Sequence, residues 1–305
     1  MAETQDQAGK FIGIEASIST FNAICVDSAG TIYGSVKTPL SQTEENLPQL
    51  ISFIKELQTS FGSFDTIGIA VPGLIHLETR RVAFSAQIPE HSRIDLLREI
   101  QDSTGIKTLI ENDANAAAYG EFKLGAGRGS TNLFYATLGV GVGGAFVLNG
   151  DIWRGASGFA GEFGYVPINS DGMRLEDVAS SANIVRRTRN RFHQDSTSSL
   201  NKLEEREISI PNIVAAAEKG DDFARLMLER TGLYVGAAVA SVINLLNIER
   251  IVIGGEIMQA GHLVLDSIIS RAKEFSFSPS FQNTEIVAGE LGENASAIGA
   301  ALMAG

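Results

Sequence analysis

The same order of strand and turn signals occurs twice in this chain, at an offset of about 120 residues. The first occurrence contains the strand-like segments FIGIEASIS, AICVD and TIYGSVKT, and the second is NLFYATLGVGVGGAFVLNGDIWRG, residues 132–155. In the second, an apolar strand, a turn of small residues, another strand and an Asn-Gly turn lead to a third strand. Two similar halves predict two lobes with a cleft between them.

Strand-like and helix-like segments alternate along the chain, which favours an α/β fold. Between the two occurrences we predict a helix over 46–60, a buried strand over 66–73 and a strand over 106–110 followed by a helix. After them we predict a helix over 232–247, a strand over 250–255, a helix beginning near Glu256, a strand over 284–289 and a helix over 294–305. The glycine-rich segment LGAGRGST, residues 124–131, is interpreted as a flexible linker. The predicted N-terminal lobe is 1–117 with 293–305, and the C-terminal lobe is 118–292.

Composition excludes several classes of protein. With 305 residues, of which 44% are apolar, the chain is long enough for two domains with separate cores. A formal net charge of −12 opposes binding to a phosphate backbone, so we expect no nucleic-acid partner. The polar start MAETQDQAGK is not a secretory signal, and no uninterrupted apolar stretch is long enough to cross a bilayer, so we expect a cytoplasmic protein without a membrane partner. The single cysteine, Cys25, allows no internal disulfide.

Polar groups gather at the start of an alanine-rich helix in the segment ENDANAAAYGEF, residues 111–122. Because IKTLI just before it reads as a strand, Asn112 and Asp113 lie at a strand-to-helix junction, where open α/β sheets bind ligands. The alternative is a structural role, since Asn and Asp also cap helices by accepting the amide hydrogens of the first turn. The segment alone does not distinguish the two.

Several motifs, in this order and spacing, resemble those of the ROK family of sugar kinases and repressors, which has the actin/hexokinase-like fold, a duplicated ribonuclease H-like α/β fold. The resemblance covers residues 11–304 and rests on VPGLI at 71–75, ENDANAAAYGE at 111–121, GVGVGGAFVLNG at 139–150, GFAGEFGY at 158–165, LEDVAS at 175–180, IVIGGEIMQAG at 251–261 and ASAIGAAL at 295–302.

The resemblance implies a sugar site and a catalytic base. Asp113 matches the residue that takes the proton from a sugar hydroxyl, and Asn112 matches a sugar-binding residue. A hydroxyl is a poor nucleophile until a carboxylate removes its proton, which agrees with this assignment. The other residues expected to bind the sugar are Gly73, Glu162, Tyr165 and Glu176. Without the resemblance, both glutamates would be read as solvated surface charges.

The resemblance also implies binding of ATP and Mg²⁺. Gly139, Gly141 and Gly143 match a phosphate loop in which backbone amides approach an anion, although a glycine run alone is equally typical of a tight hairpin. Gly254 and Gly255 match a turn that passes the adenosine. The glycine in ASAIGAAL is better explained by close helix packing than by ligand contact.

The first phosphate loop departs from the family pattern Asp-any-Gly-Gly-Thr. The aligned residues are Glu15, Ala16, Ser17, Ile18 and Ser19, so both glycines are absent. Side chains at 17 and 18 would obstruct an approaching phosphate, while the hydroxyls of Ser17 and Ser19 offer replacement donors. Glu15 keeps a carboxylate for magnesium. The second loop also changes, with Val140 where Thr is common and Ala145 where a third glycine is common.

The family's zinc module is missing. Tyr165 occupies the position of its His, and the short VPINSDGMR replaces its cysteines, so we expect no zinc. Tyr165 either directs its hydroxyl at the sugar or fills space with its ring. Gln87 stands where relatives often have Asn, which leaves the sugar open.

The sequence thus predicts an ATP-dependent hexose kinase, with glucose as the default acceptor and a homodimer as the expected assembly. Family repressors carry a winged DNA-binding region before this fold, and we expect none here because the first strand starts near residue 11. One alternative is a non-catalytic sugar sensor that keeps the sugar pocket but has degenerate phosphate loops. Another is a kinase that uses a phosphoryl donor other than ATP.

Overall fold

The computed structural model describes residues 9–41 and 43–305. The first seven strands are β1 (Lys10–Ala16), β2 (Thr20–Asp27), β3 (Ile32–Pro39), β4 (Thr66–Val71), β5 (Leu74–Ile75), β6 (Val82–Phe84) and β7 (Lys107–Asn112). Five of them form a sheet in the order β3-β2-β1-β4-β7, and β5 pairs with β6 in a separate ribbon. The pairs β1-β2 and β2-β3 are antiparallel, whereas β1-β4 and β4-β7 are parallel.

A second five-stranded sheet repeats this topology. Its strands are β8 (Leu133–Leu138), β9 (Val142–Leu148), β10 (Asp151–Trp153), β11 (Arg250–Gly254) and β12 (Glu285–Ala288), in the order β10-β9-β8-β11-β12. The strand β11 is parallel to both β8 and β12, and β9-β10 is antiparallel. Asn149 and Gly150, between β9 and β10, both have positive φ, as an Asn-Gly hairpin turn requires. The duplication predicted from the sequence is therefore confirmed.

The α-helices lie in the longer intervals between strands and after the last strand. They are α1 (Asn46–Phe61), α2 (Leu96–Thr104), α3 (Asp113–Leu124), α4 (Glu176–Ala179), α5 (Ser181–Arg189), α6 (Ile210–Glu218), α7 (Asp222–Leu246), α8 (His262–Phe275), α9 (Ser278–Gln282) and α10 (Ala295–Ala304). The helix predicted to begin near Glu256 is a short 3₁₀ segment, Glu256–Ala260, and α8 begins only after Gly261, whose positive φ interrupts the helix.

The chain divides into two compact units. Of the described residues, the first unit contains those up to Gly129 together with Ala145–Ala160 and Glu293–Gly305. The second unit contains Ser130–Gly144 and Gly161–Gly292. Helix α3 continues through residue 118 to Leu124, so the unit boundary lies after this helix rather than within it.

In the first unit, helices cover both faces of the sheet. Ile12 and Ile14 of β1 belong to a buried apolar cluster that includes side chains of α1 and α2. Between them, Gly13 points to α10, where a Cβ would lie 1.9 Å from the Ala297 carbonyl oxygen. A Cβ on Gly299 would likewise lie 1.7 Å from the carbonyl oxygen of Ala116 in α3. The glycine of ASAIGAAL thus serves close helix packing, as the sequence predicted.

Helix α7 is the one described helix long and apolar enough to cross a membrane by length and composition. Its apolar side chains are largely buried within the second unit, and it packs against α6 and α8. Gly232 and Gly236 allow close contact with α8, because a Cβ on either would lie 2.5 Å from a carbonyl oxygen of that helix. These contacts identify α7 as a core helix.

The segment interpreted as a flexible linker, residues 124–131, contains the boundary between the two units after Gly129, but its first part is a buried turn. Gly125, Ala126 and Gly127 are buried immediately after α3. The Glu121 side chain accepts a hydrogen bond from Ala126 N at 2.8 Å, and the Glu121 carbonyl accepts one from Gly127 N at 2.9 Å. Gly125 serves close packing, since a Cβ on it would lie 2.0 Å from a Glu121 carboxylate oxygen.

Candidate active site

The junction of β7 and α3 holds the proposed base in a fixed orientation. Asn112 caps α3, because its Oδ1 accepts a hydrogen bond from Asn115 N at 3.0 Å. Its Nδ2 donates to Asp113 Oδ1 at 3.1 Å, and the same Oδ1 accepts from Ala114 N at 2.9 Å. The structural alternative for Asn112 is therefore correct. It is compatible with a ligand role only through Oδ1, which has a second lone pair, because both hydrogens of Nδ2 are donated within the junction.

The turn that contains Gly73 is tied to the same junction. Asn112 Nδ2 donates to the Gly73 carbonyl at 2.9 Å. Gly73 has a φ of 137°, and a Cβ there would lie 2.5 Å from the Phe84 carbonyl oxygen, so only glycine fits this turn. Ser85 Oγ donates to the Pro72 carbonyl at 2.6 Å and accepts from Ile88 N at 3.1 Å. Gln87 is thereby held in a loop next to this turn.

A buried ion pair that the sequence analysis did not predict holds Glu111, the residue before this junction. Glu111 is 1% exposed, and its Oε2 accepts hydrogen bonds from Arg154 Nε at 3.0 Å and Nη2 at 2.5 Å. Its other oxygen accepts from Asn112 N at 3.0 Å and from Asn115 Nδ2 at 3.1 Å. The only sequence signal is Glu111 itself, an acidic residue in a strand otherwise buried.

Glu15, at the end of β1, is electrostatically coupled to the proposed base. Burial, first, and then the negative charge of Asp113 raise the pKa of Glu15 from 4.5 to about 7. Glu293 raises it further, whereas Lys37 and a hydrogen bond from Ser296 lower it. Lys37 also pairs with Glu293 at 2.6 Å on the protein surface.

The Glu15 carboxylate fits a magnesium ion. Mg²⁺ is a hard cation that prefers oxygen ligands and is usually held by one or two carboxylates, with phosphates and water completing its coordination. Glu15 supplies such oxygens, and Asp113 adds a negative charge that Lys37 offsets only in part. Among residues 9–41 and 43–305, no group of three or more His, Cys, Asp or Glu side chains is arranged to hold a metal ion.

The loop that follows β1, residues 15–19, uses the Ser17 hydroxyl for its own hydrogen bonds. Neither Ser17 nor Ile18 has positive φ, so the loop accommodates both side chains without strain. Ser17 Oγ donates to the Thr20 carbonyl at 2.9 Å and accepts from Thr20 N at 3.0 Å. The expectation that the Ser17 hydroxyl replaces a lost phosphate donor is therefore not supported, because the hairpin turn uses it. Ser19 is exposed at the same turn.

The glycine loop of the second unit joins β8 to β9. Gly139 N donates to the Gly141 carbonyl at 3.0 Å, which closes a tight turn. Val140 at its tip is 65% exposed, a high value for an apolar side chain. Gly143 is partly exposed at the start of β9, while the neighbouring Gly144 and Ala145 are buried. The hairpin alternative therefore describes the backbone correctly, and of the loop amides Gly139 N is already bonded within the turn.

The two proposed sugar-binding glutamates lie in one region of the second unit. The surrounding protein desolvates the Glu162 carboxylate and, together with the charge of Glu176, raises its pKa above the ordinary range. Glu176 begins α4, and its Oε2 accepts a hydrogen bond from Val142 N at 2.9 Å. Glu176 is partly buried and bonded to the backbone, whereas the Glu162 residue is exposed.

Tyr165 has a role that neither sequence alternative included. Its side chain is 54% exposed, and the Arg174 guanidinium lies 4.2 Å from its ring centroid. Between these residues the chain forms a short hairpin, in which Pro167 bridges Arg174 and Asn169 Oδ1 accepts from Met173 N at 2.9 Å. The segment that replaces the zinc module is thus closed by its own hydrogen bonds and by this stacking contact.

Gly254 and Gly255, at the end of β11, are needed for packing against β8. A Cβ on Gly254 would lie 2.3 Å from the Tyr135 hydroxyl oxygen, and one on Gly255 would lie 2.4 Å from the Leu138 carbonyl oxygen. Gly255 also has a φ of 92°. The site residues predicted from the sequence thus form two sets, one in each unit. The first unit contains Glu15, Ser17, Ser19, Gly73, Asn112 and Asp113, and the second contains Gly139, Gly141, Gly143, Glu162, Tyr165, Glu176, Gly254 and Gly255.

Comparison with known proteins gives consistent matches over almost the whole chain. The model of the ROK family matches residues 11–305. A glucokinase of Thermotoga maritima is 33% identical over 306 residues, which cover 96% of this chain and 96% of the relative. A xylose repressor of Bacillus subtilis is 29% identical over 96% of this chain and 76% of its own length.

Among solved structures, a ROK family glucokinase from Streptomyces griseus in complex with glucose and AMPPNP superposes with a TM-score of 0.85. It is 26% identical, and the match covers 97% of this chain and 99% of that one. This likeness and the repeated sheet topology confirm the predicted α/β fold of the actin/hexokinase-like class.

Proposed function

The chain belongs to the ROK family, and from this membership we propose that it is a sugar kinase that transfers the terminal phosphoryl group of ATP to a hydroxyl of a hexose such as glucose. The observation that carries the proposal is the geometry of Asp113. Its carboxylate is oriented at the start of α3 by Ala114 N and Asn112 Nδ2. A carboxylate fixed at a helix start, beside a residue that resembles a sugar ligand, suits a base that acts on one particular hydroxyl.

In the proposed reaction, the acceptor oxygen forms a bond to the terminal phosphorus of ATP while the bond from that phosphorus to the ADP oxygen breaks. The proton of the acceptor hydroxyl passes to the carboxylate of Asp113. Glu15 would hold a magnesium ion, which would supply positive charge to offset that of the phosphates. Asn112, Glu162 and Glu176 hold sugar hydroxyls, for which carboxylate and amide oxygens are suitable acceptors.

The high pKa of Glu15 has a consequence for this role. With a pKa of about 7, Glu15 is partly protonated at neutral pH. A cation favours the ionised form of a carboxylate, so magnesium binding is expected to release a proton from this site.

A sugar sensor without catalytic activity is the second candidate, because the first loop lacks both glycines and uses the Ser17 hydroxyl internally. The similarity to a xylose repressor also favours this candidate. In it, Asn112, Asp113, Glu162 and Glu176 serve only as hydrogen-bonding ligands of the sugar.

Calorimetry with separate titrations of MgATP and glucose distinguishes the two candidates. The kinase proposal predicts that both ligands bind, with dissociation constants in the range of about 1 μM to 1 mM that is usual for enzyme substrates. Glucose binding with no heat from MgATP, also after saturation with glucose, would favour the sensor. A panel that includes mannose, xylose and N-acetylated hexoses guards against an incorrect choice of sugar.

A further inference from the structure

The carboxylate of Glu176 contacts the backbone of the glycine loop. Its Oε2 accepts a hydrogen bond of 2.9 Å from Val142 N, at the point where the loop of residues 139–141 enters β9. Val142 is 7% exposed, so its amide has little access to water as a substitute acceptor. One end of the loop is thus bound to a residue that the proposed function assigns to the sugar.

The other end of the glycine loop is bound by Ser181, which lies shortly after Glu176 in the chain. Ser181 N, at the start of α5, donates to the Gly139 carbonyl at 2.7 Å. The Ser181 hydroxyl donates to Glu256 Oε2 at 2.8 Å, immediately after the turn at Gly255. The segment 176–181 therefore bonds to both ends of the glycine loop and to Glu256, which follows the turn at Gly254 and Gly255.

This segment has internal bonds that keep it in place. Asn183 Nδ2 donates to the Glu176 carbonyl at 2.9 Å and to Ser180 Oγ at 2.8 Å. Val178 and Ala179, between these residues, are buried. The backbone of Glu176 is thus held by bonds other than the one to Val142.

We propose that Glu176 is a positioning residue for the glycine loop in addition to a sugar ligand, and that it couples sugar binding to nucleotide binding. The inference rests on the proposed function, since it takes the loop at 139–141 as the phosphate loop. A carboxylate has two oxygens, so one can accept from a sugar hydroxyl while the other accepts from Val142 N. A sugar that orients this carboxylate thereby also orients the loop.

Glu162 provides a matched comparison. It lies near Glu176, as the effect of Glu176 on its pKa shows, and it is assigned to the same sugar. Within the part of the chain that the structure describes, its carboxylate takes no hydrogen bond from residues 139–142. Substitution of Glu162 is therefore expected to affect the sugar alone, whereas substitution of Glu176 is expected to affect the sugar and the loop.

The test compares Glu176→Ala, Glu176→Gln and Glu162→Ala. In Glu176→Ala we expect the Val142 amide to exchange with solvent about tenfold faster and MgATP without sugar to bind about tenfold more weakly, as loss of one buried hydrogen bond implies. Glu176→Gln keeps an oxygen acceptor for Val142 N and should restore both quantities. Glu162→Ala should lose sugar affinity and leave both unchanged.

Unchanged Val142 exchange in Glu176→Ala would overturn the inference, as would an equal increase in Glu162→Ala. Equal MgATP affinity in Glu176→Ala and wild type without sugar would overturn the effect of Glu176 on the nucleotide, and equal MgATP affinity of the wild type with and without saturating sugar would overturn the coupling. Amide exchange does not depend on catalysis. If the wild type binds no MgATP, the proposed function fails, and the exchange rates still decide whether Glu176 positions the loop.

Discussion

Replacement of Asp113 by Asn is expected to lower turnover by about two to four orders of magnitude, because an amide cannot take the proton of the acceptor hydroxyl. Asn at this position keeps an oxygen that accepts from Ala114 N and Asn112 Nδ2, so the junction of β7 and α3 should persist. Sugar affinity, measured by calorimetry, should change by less than about tenfold. Steady-state kinetics at saturating sugar and MgATP provide the measurement.

Asp95→Asn is the matched control for this variant. Asp95 is the N-cap of α2, and its carboxylate accepts from Arg98 N at 3.3 Å, so the chemical change at a helix start is the same. It is remote in sequence from the candidate site residues, and we expect normal turnover. A turnover for Asp113→Asn within about threefold of wild type would exclude Asp113 as the base.

Replacement of Arg154 by Met is expected to lower the free energy of unfolding by about 3 to 5 kcal/mol, because it leaves the carboxylate of Glu111 buried without its partner. The Glu111 side chain is 2% exposed, and that of Arg154 is 25% exposed. Met keeps most of the apolar length of the side chain, so the loss reports on the charge rather than on a cavity. Urea unfolding followed by circular dichroism provides the measurement.

The control for this variant is Arg98→Met, which removes an ion pair at the protein surface. Arg98 and Asp102 are 3.4 Å apart with side chains 77% and 70% exposed, so we expect a loss below about 1 kcal/mol. Adding Glu111→Gln to Arg154→Met should recover part of the lost stability, since the unpaired charge is then removed. Equal losses for Arg154→Met and Arg98→Met would show that the buried pair has no special importance.

The sequence was sufficient to predict those features that depend on local pattern and repetition. The two strand-turn-strand motifs predicted a duplicated sheet because both halves of the chain have similar spacing of apolar residues and turns. The Asn112 cap was also predictable, because Asn before the first turn of a helix has a well-defined local function. The packing role of Gly299 followed from the small residues around it.

Features that depend on pairs of residues distant in sequence could not be predicted. The Arg154–Glu111 pair joins residues 43 positions apart, and the Val142–Glu176 bond joins residues 34 apart. No periodicity specifies such partners. The burial of residues 125–127 is unpredictable for a related reason, because glycine is typical both of mobile chain and of close packing, and the contacts with Glu121 exist only in the fold. The bonds between the Ser17 hydroxyl and Thr20 likewise depend on the turn, because a serine hydroxyl can bond either to nearby backbone groups or to a ligand.

Detection of a sugar phosphate shows directly whether this chain is a sugar kinase, as we propose. Purified protein is mixed with MgATP and glucose, or with another hexose that calorimetry shows to bind, and the phosphorus species are followed by nuclear magnetic resonance. We expect one hexose phosphate to form for each ADP, and Asp113→Asn to form almost none over the same period. Tight sugar binding without any sugar phosphate, across the sugar panel and with wild-type protein, would contradict it.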